Sequence, residues 1–255
     1  MAKTSFTIRE EGLAVFKILR PECRNAIDYD VMGNLRAALR DAREDPRIKL
    51  FMITGEGNQA FCSGGDLNAF HKLKTEKEAY EMLSTMGTLL YELLTLPKPT
   101  VALLNGTAVG GGCEVAIACD IRLAADHSKL GFVQGNLGIT TGWGGGSILM
   151  EKILPQDALF MLYTAKLFTA EEAKRLNYVQ EVFSGDHLME QTENYCLDII
   201  RKPAGVLISY KQAMLEKWEL MNMEERMAQE IRRCAVLWEK EEHHEAVEGF
   251  KCRKS

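Results

Sequence analysis

Two glycine clusters hold the residues whose types and spacing could do chemistry. The first is Ala60-Phe61-Cys62-Ser63-Gly64-Gly65-Asp66-Leu67, after an apolar run that ends at Thr54. The second is Asn105-Gly106-Thr107-Ala108-Val109-Gly110-Gly111-Gly112-Cys113-Glu114, after a run that ends at Leu104. Each cluster leads into a helical pattern. Glycine lets the backbone approach a ligand closely, and the free N–H groups at a helix start point at negative charge. One N–H from each cluster would form an oxyanion hole, in which each donor is worth on the order of a hundredfold or more in rate when charge builds on a carbonyl oxygen. Taken singly, each glycine would merely make a tight turn; their pairing is what points to catalysis.

Other readings of the same residues fail on context. Gly55-Glu56-Gly57-Asn58-Gln59-Ala60 has the GxGxxA spacing of a dinucleotide loop, but the residues after it do not continue as a helix. The chain has neither a Walker-type phosphate loop nor a GxSxG elbow around Ser63, so nucleotide hydrolysis and serine hydrolysis are not expected. His71, His127, His187, His243 and His244 form no HExxH, and the seven cysteines never fall into a CxxC pair. Reduced thiols are therefore expected, with no metal and no disulfide framework.

The elements that must position these clusters can be read from periodicity. Ser5 to Leu19 alternates as a hairpin around Gly12. A helical stripe of Val31, Leu35, Ala38, Leu39 and Ala42 follows Asp30 and stops before Pro46. Short apolar runs at Ile48 to Thr54, Thr100 to Leu104, Asp120 to Ala124, Lys129 to Phe132 and Tyr178 to Phe183 read as strands. Thr75 with Glu78, and Thr169 with Glu172, read as capping boxes, the first opening a helix to about Leu96. Strands alternating with helices imply an α/β core with parallel strands. From about residue 200 the pattern is purely helical, broken near Asn222, with Trp218, Met221, Met223, Met227, Val236, Leu237 and Trp238 at helical spacings. Such a face packs either on its own core or on another subunit, and periodicity does not choose between them.

Composition limits the partners. With 46% apolar and 26% charged residues and a net charge of -5, this is an ordinary globular chain. Its longest basic block is Lys251-Cys252-Arg253-Lys254, and the Asp30 to Asp45 helix sets Arg36, Arg40 and Arg43 against Asp30, Asp41, Glu44 and Asp45, so no nucleic-acid partner is expected. No apolar stretch has the length of a membrane span, and no signal-peptide core is visible, so no membrane partner and a cytoplasmic location are expected.

Phe61-Cys62-Ser63-Gly64-Gly65-Asp66-Leu67 and Gly110-Gly111-Gly112-Cys113-Glu114, with Ala118 to Ala125, Leu137 to Gly145 and Arg20-Pro21-Glu22-Cys23-Arg24-Asn25-Ala26, resemble the enoyl-CoA hydratase/isomerase, or crotonase, family. The resemblance spans nearly the whole chain. It implies a crotonase-like spiral of ββα units over residues 1–200 holding an acyl-CoA site, and a C-terminal helical region over 201–255 used in trimer contacts, with a homotrimer or dimer of trimers as the assembly. It also implies that the N–H groups of Gly65 and Gly111 grip a thioester oxygen. Arg24, Ser63, Gly64, Asp66, Leu67 and Asn68 would border coenzyme A, which is part of the substrate, so no separate cofactor is expected. Asp66 is equally readable as a plain helix cap, and Trp143 as a core aromatic or as lining of the acyl pocket.

In the hydratases of this family two glutamates work on one water, at the positions of Glu114 and of a residue twenty further on. Here that second position is Gln134, an amide that holds a water or a substrate oxygen but does not exchange a proton at neutral pH. Glu114 has a plainer reading as a first-turn residue favourable to the helix dipole. The segments around Ser63 to Ala69, Phe132-Val133 and Trp143-Gly144-Gly145 are most similar to the ethylmalonyl-CoA decarboxylase branch, and Asn136 to Gly138 to methylmalonyl-CoA decarboxylase. The resemblance thus implies an acyl-CoA lyase, with decarboxylation of an alkylmalonyl-CoA as the specific expectation. Hydration or isomerisation with Glu114 alone, and a non-catalytic binding role, are the alternatives.

Overall fold

The computed structural model describes residues 2–252, with side chains to Gly249, so the basic run at the chain end lies outside the described side chains. Strands β1 (Thr4–Ile8) and β2 (Leu13–Ile18) form the antiparallel hairpin. Helix α1 (Tyr29–Glu44) follows; its cap is Asp28, whose side chain accepts from the Val31 N–H, while Asp30 sits in the first turn and pairs with Lys3. The helix therefore begins two residues earlier than the apolar stripe suggests.

Three ββα turns come next. Strands β3 (Leu50–Gly55) and β4 (Ala60–Cys62) lead to α2 (Leu67–Phe70) and α3 (Glu76–Leu94). Strands β5 (Thr100–Leu104) and β6 (Thr107–Val109) lead to α4 (Gly111–Ala118). Strands β7 (Ile121–Ala125) and β8 (Lys129–Gly131) lead to α5 (Gly145–Lys152) and α6 (Pro155–Thr164). In each turn the first strand joins a six-stranded sheet that runs β1-β2-β3-β5-β7, and the second joins a four-stranded sheet that runs β4-β6-β8, each sheet gaining one later strand at its far edge. The chain continues through β9 (Phe168–Thr169), α7 (Ala170–Arg175), β10 (Glu181–Phe183) and α8 (Leu188–Ile200). Both capping boxes are present, at Thr75 with Glu78 and Thr169 with Glu172; a cap of this kind contributes about 1 kcal/mol.

The inner strands of the large sheet, β2, β3, β5 and β7, are buried on both faces, which is why they are largely apolar, while the edge strand β1 is partly exposed and alternates. Leu50 and Met52 of β3 face α8 beside Leu188, Cys196 and Ile200, while Phe51 and Ile53 face the main core. Strands β4 and β6, three residues each, escape the sequence reading because glycine-rich segments flank them. Only Glu181–Phe183 of the run from Tyr178 is strand; Tyr178 is buried and donates its hydroxyl to the Cys113 carbonyl.

The tail consists of α9 (Ala204–Leu220), α10 (Met223–Trp238) and α11 (Glu241–Cys252). Asn222, at φ +48°, makes the expected break, and a second break at Glu239–Lys240 was not legible. Helix α10 packs on α3 of its own chain: Met223, Met227, Ile231, Cys234 and Ala235 belong to the main core cluster, and Trp218 of α9 joins them. Val206, Ile208, Tyr210 and Leu220 on α9, and Phe160 and Tyr163 on α6, remain exposed. The six cysteines with described side chains are free thiols, and no helix among the described residues is long and apolar enough to cross a membrane.

Candidate active site

The glycine clusters meet because β4, β6 and β8 are adjacent parallel strands. Strand β4 ends into Ser63–Asp66, β6 into Gly110–Gly111, and β8 into the turn that carries Gln134, so three loops open at the carboxyl ends of one sheet. Gly64, at φ +88°, lies against the second cluster: a β-carbon on it would stand 3.0 Å from the Gly111 nitrogen. Among the described residues no protein acceptor takes the N–H of Gly65 or Gly111. The Gly111 amide also begins α4, where the helix dipole is positive.

Trp143 covers this edge. A β-carbon on Gly111 would come within 2.2 Å of the indole Cζ3, and one on Gly65 within 3.6 Å of Cζ2. The ring is 4% exposed, so it is both a core aromatic and a wall beside the two glycines.

Glu114 lies one turn beyond Gly111 on α4 and is buried. Its Oε1 accepts from Gln134 Nε2 at 2.8 Å and the Gly142 N–H at 3.2 Å; its Oε2 accepts from the Trp143 and Gly145 N–H groups, each at 2.9 Å. All four main lone-pair directions of the carboxylate are thereby used. Gln134 is itself buried, and its Oε1 has no partner. Burial pushes the Glu114 carboxyl up to about 7, the neighbouring Glu230 adds to this, and the three backbone donors oppose it.

Glu230, delivered by α10, escaped the sequence reading. It accepts from the Gly146 N–H at 3.1 Å, and from the Ser147 N–H and Ser147 Oγ at 2.6 Å each. Burial raises its proton affinity too, against hydrogen bonds from Ser147 and Thr141. The available signal was an acid within an apolar stripe: Glu230 follows Met227 by three residues and precedes Cys234 by four, all on the buried face of α10.

Arg24 and Ser63 line a cavity of about 170 Å3 together with Gln59, Ala60, Thr107 and Val109. The Ser63 hydroxyl donates to the Cys23 carbonyl at 3.3 Å. Asp66 caps α2: its Oδ1 accepts from the Asn68 N–H at 2.9 Å and its Oδ2 from Arg20 Nη2 at 2.7 Å. Both oxygens are thus engaged within the fold. Leu67 is half-buried and Asn68 exposed, at the start of α2. The GxGxxA segment ends β3 and turns into β4 rather than into a helix. Among the described residues no group of three or more His, Cys, Asp or Glu side chains could hold a metal ion.

A family model described as enoyl-CoA hydratase/isomerase matches residues 8–255. The chain is 36% identical over 205 residues to the crotonyl-CoA hydratase of Syntrophomonas wolfei, covering 80% of this chain and 75% of that protein. It is 32% identical over 208 residues to the ethylmalonyl-CoA decarboxylase of Xenopus tropicalis, covering 81% of this chain and 69% of that one. The solved enoyl-CoA hydratase from Bacillus halodurans superposes with a TM-score of 0.88 at 25% identity, over 97% of this chain and all of that one.

Proposed function

Because the chain belongs to the enoyl-CoA hydratase/isomerase family, we propose that it is an acyl-CoA lyase that decarboxylates an alkylmalonyl-CoA through a thioester enolate. The observation that carries this reading is the contact between Gln134 and Glu114. The position where a hydratase needs a second carboxylate holds an amide, and that amide is spent on the first carboxylate. A reaction that needs one proton, not two coordinated transfers on a water, suits such a site.

The steps balance simply. The bond between C2 and the substrate carboxylate breaks, carbon dioxide leaves, and the electron pair moves through C2 onto the thioester oxygen. The N–H groups of Gly65 and Gly111 hold that oxygen, and such preorganised donors act on charge only as it develops. Glu114, which can carry a proton once the Gln134 amide turns its unpartnered Oε1 toward it, then gives that proton to C2 and is recharged from water. An uncharged Glu114 also avoids repelling the substrate carboxylate. Coenzyme A enters as part of the substrate, with its adenine and pantetheine along Arg24, Ser63, Gly64, Leu67 and Asn68, and Asp66 holding that segment in place. The exposed apolar residues of α6 and α9 suit the contacts of a homotrimer or a dimer of trimers.

A second reading, hydration of a short enoyl-CoA by Glu114 alone, is favoured by the identity to the Syntrophomonas hydratase. One paired assay separates the two: carbon dioxide release from methylmalonyl-CoA and ethylmalonyl-CoA beside hydration of crotonyl-CoA, each repeated with Glu114→Gln. Decarboxylation exceeding hydration, and lost in the variant, is expected. Hydration without carbon dioxide release would replace the first reading by the second.

A further inference from the structure

Five of the six amides of residues 142–147 are divided between two carboxylates that are far apart in sequence. Glu114 takes Gly142, Trp143 and Gly145, while Glu230 takes Gly146 and Ser147. Gly145, Gly146 and Ser147 are the first three residues of α5, so both acids share one helix N-terminus, which offers the equivalent of roughly half a positive charge. The glycines make this approach possible: a β-carbon on Gly145 would lie 2.5 Å from Glu114 Cγ, and one on Gly146 3.3 Å from Glu230 Oε1.

Among the described residues no cation bonds either acid. Arg226, on the same helix as Glu230, is held by Glu151 of α5 at 2.7 Å. The other titratable groups facing the pair are the thiols of Cys113 on α4 and Cys234 on α10, both kept neutral by burial. His243 of α11 bonds the Leu137 carbonyl beyond the Gln134 turn, and α3 presents Leu83 and Gly87 to this region. The helix start and its N–H groups offset part of the charge, but with no cation in this shell two full negative charges are not balanced.

Resting on the reading given above, we propose that Glu230 is a positioning residue for the reaction: from the tail it anchors the N-terminus of α5, and the charge it sets beside Glu114 keeps on that carboxyl the proton that the enolate carbon receives. Gln134 is suited to both states of its neighbour. As found, its Nε2 donates to the carboxylate; after a half-turn of the amide, the unpartnered Oε1 accepts from the carboxylic acid. The direction of the proton affinity of Glu114, raised by burial and then by Glu230, agrees.

The test follows the Glu114 proton directly, by infrared difference titration of the full chain, beside the pH–rate profile for carbon dioxide release. In the wild type a carboxylic-acid band that vanishes in Glu114→Gln is expected near neutral pH. Glu230→Gln should move that titration, and the basic limb of the rate profile, down by at least about one pH unit, the size of effect a close like charge exerts. Ser147→Ala removes a donor that holds Glu230 ionised, so the proton passes toward Glu230 and both should again move down, by less than in Glu230→Gln; it serves if Glu230→Gln does not fold. A purely structural Glu230 would lower stability and leave both titrations where they are, which overturns the inference. If the infrared titration shifts as stated but no carbon dioxide is released, the positioning role stands and the decarboxylase reading fails.

Discussion

The indole of Trp143 rests on Gly111 so closely that a single added methyl at residue 111 would come within 2.2 Å of its ring. The residue whose N–H is assigned to the oxyanion thus also has its Cα surface covered by the residue whose own N–H holds Glu114. Gly111→Ala keeps the N–H but should displace the indole and shift the amide, and a donor moved out of line should lower turnover by up to on the order of a hundredfold. Near-ultraviolet circular dichroism should change while far-ultraviolet spectra stay the same. Unchanged turnover would remove Gly111 from the oxyanion hole.

Gln134→Glu supplies the second carboxylate of a hydratase. The new acid faces Glu114 where an amide stood 2.8 Å away, so one of the two would hold a proton. Crotonyl-CoA hydration should rise by roughly ten- to a hundredfold and decarboxylation should fall, since a positioned acid or base contributes about that much or more. The ratio of the two rates, measured on one preparation, checks this.

Lys152 turns its ammonium inward to the Ala118 and Cys119 carbonyls at the end of α4. Burial lowers its proton affinity to about 7; Asp120 opposes this, while Arg122 and Lys211 reinforce it. Between about pH 7 and 10.5 the unfolded chain keeps the proton that the folded one has lost, so stability rises with pH by up to about 1.4 kcal/mol per unit. The gain is absent below that window. Denaturant midpoints of Lys152→Met, compared with wild type across it, should lack this slope.

Tyr163 on α6 is 81% exposed and lies in an element that also exposes Phe160. If this face makes the trimer, Tyr163→Asp should shift the light-scattering mass from three or six chains toward one, with the helical content kept. A wild-type monomer would remove the oligomer from the proposal.

The local rules of the chain were legible wherever they rest on neighbours in sequence. Glycine spacing after two strands, two capping boxes and the apolar runs of the large sheet all depend on contacts a few residues apart, and they appear where periodicity puts them. That the glycines around Gly65 and Gly111 come close to each other agrees with the spacing of the two clusters; the roles given to Gly65, Gly111 and Glu114 come from the family resemblance and belong to the proposal. Glu230 was not, since its partners Gly146 and Ser147 lie more than eighty residues away and an acid in a helix reads as solvated until its face is known to be buried. Nor could sequence tell that the Gln134 amide would bond Glu114, or that Trp143 would cover both glycines. Those contacts exist only because β4, β6 and β8 line up and α10 returns to the core. Burial, which sets the proton affinity of Glu114, is a property of that assembled interior and of no segment alone.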